Sequence, residues 1–160
     1  MSNIMCVLFG FFPLLIGFIM NYALKVSNYM LVLPYTLIGI VMLGIWCTAA
    51  YIFNKKIRNP YKVMLLLNLI AFLDFLLICV QLFVYDQFWF NIVGIWSQVF
   101  YLPLTRLSSL IVRLLPLPYI TTVPIKLVSF MLLLIASFIG CKCYEKRKNK
   151  ESEVGVLGES

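Results

Sequence analysis

Apolar residues in this chain come in long, nearly unbroken runs, and four of these runs stand out, at about residues 4–24, 30–53, 63–85 and 119–140. Each is long enough to cross a hydrocarbon core of roughly 30 Å, which takes about 20 helical residues. Strands of a membrane barrel would show shorter segments of alternating hydrophobicity instead. The pattern therefore predicts an all-α integral membrane protein with four transmembrane helices. Pro13 is the internal breaker of the first run, which a membrane helix tolerates when neighbours re-satisfy the freed carbonyl. Pro124 is expected in the first turn of the fourth, where a missing N–H costs least. The first run is read as a retained helix, not a signal peptide: MSNI carries no basic residue, the apolar run is long, and NYALKVSN lacks an A-x-A-like cleavage site.

Between the third and fourth runs, about residues 87–116 form an interfacial amphipathic and aromatic segment. Its first part, DQFWFNIVGIWSQVFYLP, concentrates Phe88, Trp89, Phe90, Trp96, Phe100 and Tyr101, and such rings collect at headgroup level. Its second part, TRLSSLIVRLL, is bracketed by Pro103 and Pro116. At 100° per residue, Thr105, Arg106, Ser108, Ser109 and Arg113 fall in an arc of roughly 160°, opposite Leu107, Leu110, Ile111, Leu114 and Leu115, with Val112 as the exception. The expectation is a short helix lying on the outer leaflet with its arginines toward water or phosphate. A lone crossing by this segment would move the basic tail outside, so an interfacial or re-entrant path is the cheaper arrangement.

Composition agrees with the pattern: 63% of the 160 residues are hydrophobic and 12% charged, far from a soluble domain. Residues 1–141 are expected to form one four-helix domain, and 142–160 a basic, then polar, disordered cytoplasmic tail too short for a core. The net charge of +7 is split between Lys55, Lys56, Arg58 and Lys62 on one side of the third run and Lys142, Lys146, Arg147, Lys148 and Lys150 after the fourth. Two juxtamembrane clusters do not make a nucleic-acid surface. They point to anionic lipid headgroups as partners and, by the positive-inside rule, place both termini in the cytoplasm of a cell whose plasma membrane the protein crosses several times.

One acid, Asp74, lies at the midpoint of the third run, in LIAFLDFLLICVQ. A charged aspartate there costs about 2.5 to 3.5 kcal/mol. Gln81 shares its helix face, while Asn68 points away. Lys126 is the only basic residue within a run; it is expected level with Gln81, roughly 10 Å above Asp74, and snorkelling outward. Desolvation favours a neutral acid, whose expected partners at similar depth are Ser129 and the indole of Trp46. That arrangement is a polar clasp between helices; the competing reading makes Asp74, Gln81 and Lys126 a partly wet path for a proton or cation.

Small residues at Gly10 and Gly17, and at Ser129, Ala136 and Gly140, form strips that let helices approach closely, within one chain or between copies. Cys6, Cys47 and Cys79 read as apolar fillers; Cys141 and Cys143 would suit palmitoylation in a eukaryotic cell and are bystanders in a bacterium. The chain has no histidine, no C-x-x-C pair, no G-x-S-x-G elbow, no P-loop and no N-x-[ST] sequon. Neither catalysis, a metal nor a cofactor is expected. The functional expectation is a non-catalytic accessory, regulatory or immunity-type protein of a bacterial plasma membrane, acting on a membrane-protein partner or a second copy through helix–helix or outer-surface contacts. The alternative is a small proton- or cation-coupled transporter or channel component built on Asp74.

Overall fold

The computed structural model describes residues 2–26, 34–89, 91–114 and 122–157. They form α1 (Ser2–Phe9), α2 (Phe12–Val26), α3 (Tyr35–Ile57), α4 (Pro60–Phe83), α5 (Ile92–Val99), α6 (Leu102–Val112) and α7 (Thr122–Leu157), with no strand among them. Four stretches are long and apolar enough to cross a membrane: Ser2–Val26, shared by α1 and α2, then Tyr35–Ile57, Pro60–Phe83 and Thr122–Glu151. The expected beginnings of the second and fourth spans, residues 30–33 and 119–121, lie outside the described residues, as do Phe90, Leu115 and Pro116.

Local chemistry explains where the helices break. Pro13 has no N–H to offer the carbonyl of Phe9, so the chain turns at Gly10 and Phe11, and the Leu14 N–H bonds the Phe11 carbonyl at 3.0 Å instead. At the end of α3, Arg58 adopts a left-handed φ of 56° and its N–H closes on the Asn54 carbonyl at 2.9 Å. Asn59 then caps α4, accepting from the Lys62 N–H at 3.1 Å, with Pro60 in the first turn. A connection this short makes α3 and α4 antiparallel neighbours.

α7 packs along α3 more extensively than along any other element. Gly140 permits the closest approach: a Cβ there would run into the Cys47 carbonyl and the Ala50 side chain. The small-residue strip on α7 is therefore used within the chain. Trp46, Leu67, Ala71, Leu133 and Ala136 fill the centre of the core. Cys6 lies against the carbonyl of Val63 and Gly10 beside Leu67, so α1 rises alongside α4 from the same end. At that end Tyr51 meets Tyr144 edge-on and Arg147 donates to the Tyr51 hydroxyl at 3.4 Å. The start of α1, the α3–α4 turn and the final turns of α7 thus share one end of the bundle, the basic end.

The segment after Lys142 continues α7 as helix to Leu157, supported by i,i+3 and i,i+4 ion pairs between Lys142 and Glu145 and between Arg147 and Glu151. The segment between the third and fourth long helices packs into the bundle instead of standing apart from it. α5 and α6 form a helical hairpin inserted among α2, α3, α4 and α7 from the end opposite the basic one. Its elbow, Phe100 and Tyr101, is fully buried, and the Tyr101 hydroxyl donates to the carbonyl of Ala71, near the middle of α4.

The facing of α6 changes with it. Leu104, Ser108 and Val112 are buried, whereas Leu110 and Leu114 are exposed. Arg106 and Arg113 are exposed as expected, but Ser108, assigned to the polar outside, turns into the core. Val112, the exception to the sorting, marks the true inner face. The physical reason is that the Ser108 hydroxyl is satisfied inside the bundle by the hydroxyl of Ser129.

Candidate functional site

The inserted hairpin organises one of the buried polar clusters of this molecule. An elbow between two short helices leaves backbone groups without helical partners, and away from water each must find one. Side chains from the spans supply them. Gln81 of α4, with no exposed surface, donates to the Ser97 hydroxyl at 3.0 Å and accepts from the Trp89 N–H at 3.1 Å, so one amide ties both the α4–α5 loop and α5. Lys126 of α7, only 7% exposed, donates to the Gln98 carbonyl at 3.0 Å, and its amine lies 5.5 Å from the centroid of the Tyr101 ring. Ser129, one helical turn further along α7, shares a 2.7 Å hydrogen bond with Ser108 of α6. Gly17 completes the socket, because a Cβ there would collide with the Val99 carbonyl.

These contacts redraw the partnerships expected of Asp74. Ser129 is taken by Ser108 and Trp46 by Asn68, whose Oδ1 accepts from the indole N–H at 3.2 Å. Asn68, read as pointing away from the polar positions, is instead the centre of a second cluster: its Nδ2 reaches the Ser137 hydroxyl at 2.7 Å and the Met64 carbonyl at 2.9 Å. Lys126 does not snorkel outward; it turns inward to the hairpin. Asp74 itself is half-buried, its Oδ2 is buried without a hydrogen-bond partner, and Lys126 and Tyr101 are its electrostatic neighbours. The ion pairs among the described residues are the two near the end of α7, and Asp74 is in neither.

The remaining candidates fall on the surface. Trp96 is 44% exposed on α5, and Trp89 packs edge-on against Tyr85 beside the hairpin. Lys55, Lys56, Arg58 and Lys62 at the α3–α4 turn and Lys146, Arg147 and Lys148 on α7 are exposed at the basic end. Sequence reasoning missed Asn54, Ser97 and Ser137, which are 1%, 0% and 0% exposed; a polar side chain inside an apolar run was the available signal for Ser137, whereas Asn54 borders a lysine pair and Ser97 lies in the aromatic segment.

Two apolar grooves run along the outside of the bundle. One, of about 570 Å³, follows α1 and α2 past Leu8, Phe12, Leu15 and Phe53. The other, of about 450 Å³, lies between α4 and α7 at Met64, Phe72, Phe130 and Leu134. Neither is lined by Asp74, Gln81 or Lys126. Among the described residues no group of three metal-ligating side chains comes together. No protein-family model, curated protein or solved structure matches the chain.

Proposed function

We propose that this is an integral protein of a plasma membrane, with both termini in the cytoplasm, that acts without catalysis as an accessory, regulatory or immunity-type component. The observation that carries the reading is how the buried polar side chains are used. Gln81, Lys126, Ser108 and Ser129 hold the hairpin, and Trp46, Asn68 and Ser137 hold the spans, so these groups are engaged in the fold itself. What the arrangement offers to the outside is a surface: an anchored hairpin carrying Trp96, Arg106 and Arg113, flanked by the Asp86–Trp89 turn. A rigid platform of this kind suits recognition, because little ordering is left to be done on binding. Its partner would be another membrane protein or a second copy of this chain.

Orientation follows from charge. With the hairpin entering and leaving at one end, the chain crosses four times, and both basic clusters sit together at the other end, the side the positive-inside rule gives to the cytoplasm.

A second reading has its own support, since the buried and unpartnered Oδ2 of Asp74 suits a site that takes up a proton or a cation in a transporter or channel component. Affinity purification of the tagged protein in mild detergent, followed by mass spectrometry, separates the two. A stoichiometric membrane-protein partner, or a defined homo-oligomer, whose recovery falls when Arg106 and Trp96 are replaced supports the contact reading. A protein that comes down alone as a monomer and conducts protons or cations in liposomes, losing that flux in Asp74→Asn, would overturn it.

A further inference from the structure

At the basic end, where α7 runs on past the α3–α4 turn, Asn54, Arg58, Pro60, Tyr144, Glu145 and Lys148 line a cavity of about 330 Å³. Its walls are unlike the two outer grooves in being mostly polar. Asn54 forms the floor: it is 1% exposed, its Nδ2 donates to the Cys141 carbonyl at 3.2 Å, and its Oδ1 is buried with no partner. Buried amide oxygens are rarely left unpaired, so the floor asks for a donor. The walls ask for an anion. Arg58 and Lys148 are exposed cations with no ion-pair or hydrogen-bond partner for their side chains among the described residues. The start of α4 at Pro60 adds the positive end of a helix dipole. Glu145, the one acid, is already engaged by Lys142 at 2.8 Å.

The geometry points to this cavity as a binding site for a phosphate that carries hydroxyl donors, with the phosphate held by Arg58 and Lys148 and a hydroxyl donating to Asn54 Oδ1. A phosphatidylglycerol-type headgroup has this chemistry, and so does free glycerol phosphate. The left-handed φ of 56° at Arg58 strengthens the assignment. A bulky residue in that conformation is disfavoured, and asparagine or glycine would cap α3 more easily. An arginine there makes sense if its guanidinium is needed at the cavity mouth, where its planar fork suits phosphate oxygens. The site does not depend on what the hairpin face contacts.

The test uses the full chain in mild detergent, with native mass spectrometry and thermal melting read against phosphatidylglycerol, phosphatidylcholine and glycerol 3-phosphate. Phosphatidylglycerol is expected to form a one-to-one adduct that survives where phosphatidylcholine, whose choline has no hydroxyl, is lost. Arg58→Asn and Lys148→Gln are each expected to weaken that adduct roughly tenfold, as one lost charge-assisted bond would. Arg58→Asn should meanwhile melt no lower than the parent without lipid, since asparagine tolerates the left-handed turn. Lys55→Gln, on the same end but away from the cavity lining, should leave the adduct unchanged. Competition by glycerol 3-phosphate at equal concentration would support the site and assign it to a soluble ligand; no competition would support it and assign it to the lipid. Equal retention of the two lipids would overturn the proposal by showing no selectivity for the anionic, hydroxyl-bearing headgroup, and equal weakening by Lys55→Gln would overturn it by leaving only the general attraction of basic residues for anionic surfaces.

Discussion

The two ends of the bundle are held together in different ways. From the middle of the bundle to the basic end, long helices lie side by side with their own backbones satisfied, and one side-chain cluster, Trp46–Asn68–Ser137, joins three of them. At the hairpin end the bonds run mainly from side chain to backbone: Tyr101 to the Ala71 carbonyl, Lys126 to the Gln98 carbonyl, Gln81 to the Trp89 N–H. The difference follows from where regular helix stops. A continuous helix brings its own partners, so polar residues between such helices serve mainly to set how they pack. A buried elbow does not, and the helices around it must carry donors and acceptors inside the bundle. Lys126 and Gln81, which looked like the lining of a polar path, are accounted for as the supports of an inserted hairpin.

Steric variants break the comparison hardest. Gly17→Leu drives a side chain into the Val99 carbonyl, and Gly140→Leu drives one into the Cys47 carbonyl. Each should destabilise by about 3 kcal/mol, the upper part of the range for overpacking. They should differ in place. Cys79 is partly buried on the hairpin half of α4 and Cys141 is buried at the basic end, while Cys143 is exposed, so in a Cys143→Ser background the increase in labelling rate at each thiol reads the halves separately. Gly17→Leu is expected to open Cys79 first, and Gly140→Leu to open Cys141 first. Simultaneous exposure of both thiols in both variants would mean that the halves unfold as one unit.

Polar variants sharpen the comparison at lower cost. Gln81→Leu strands the Trp89 N–H and frees Ser97, and should destabilise by about 2 kcal/mol, since each buried group left unpaired costs about 1 to 3. Asn68→Leu strands no backbone group outside a helix but leaves the buried Trp46 indole N–H unpaired, and should cost about 1 kcal/mol, the lower end of the same range. Melting in detergent ranks the two. If Asn68→Leu proved the worse, side-chain clasps would dominate and the elbow would need no dedicated support.

The four helices long and apolar enough to cross a membrane were legible in the sequence because hydropathy and length are read directly from it, and the break at Pro13 was legible from the missing N–H. The hairpin was legible as an anomaly, through its aromatic residues and the parity of the basic clusters, but its depth and facing were not. Helical sorting puts Ser108 with Arg106 because it ranks residues against water. In an apolar setting the inside of a bundle is distinguished by small size and polar pairing instead, and by that rule Ser108 opposite Ser129 belongs inside while Leu110 belongs outside. Asn68 was misplaced because facing was judged relative to Asp74, whereas α4 touches α1, α3, α5 and α7 at once and has more than one buried face. The basic cavity could not be read at all, since the tail after Lys142 gave no sign that it would continue α7 and close over Asn54.

Asp74 gives the smallest expected effect and the most informative one. Its carboxylate takes part in neither polar cluster: Trp46 and Ser129 are committed to others, and Oδ2 has no partner to lose. Asp74→Asn keeps the shape of the side chain while removing its capacity for charge, so it should shift stability by no more than about 0.6 kcal/mol, the mean worth of a single interhelical bond. Gln81→Leu should exceed it severalfold in the same melting measurement. A loss from Asp74→Asn as large as that from Gln81→Leu would make the carboxyl a third support of the hairpin, bonded in a way its half-buried position does not show. With the expected small shift, any change that Asp74→Asn produces in partner recovery or ion flux reports on function directly, because the fold around it is held by other residues.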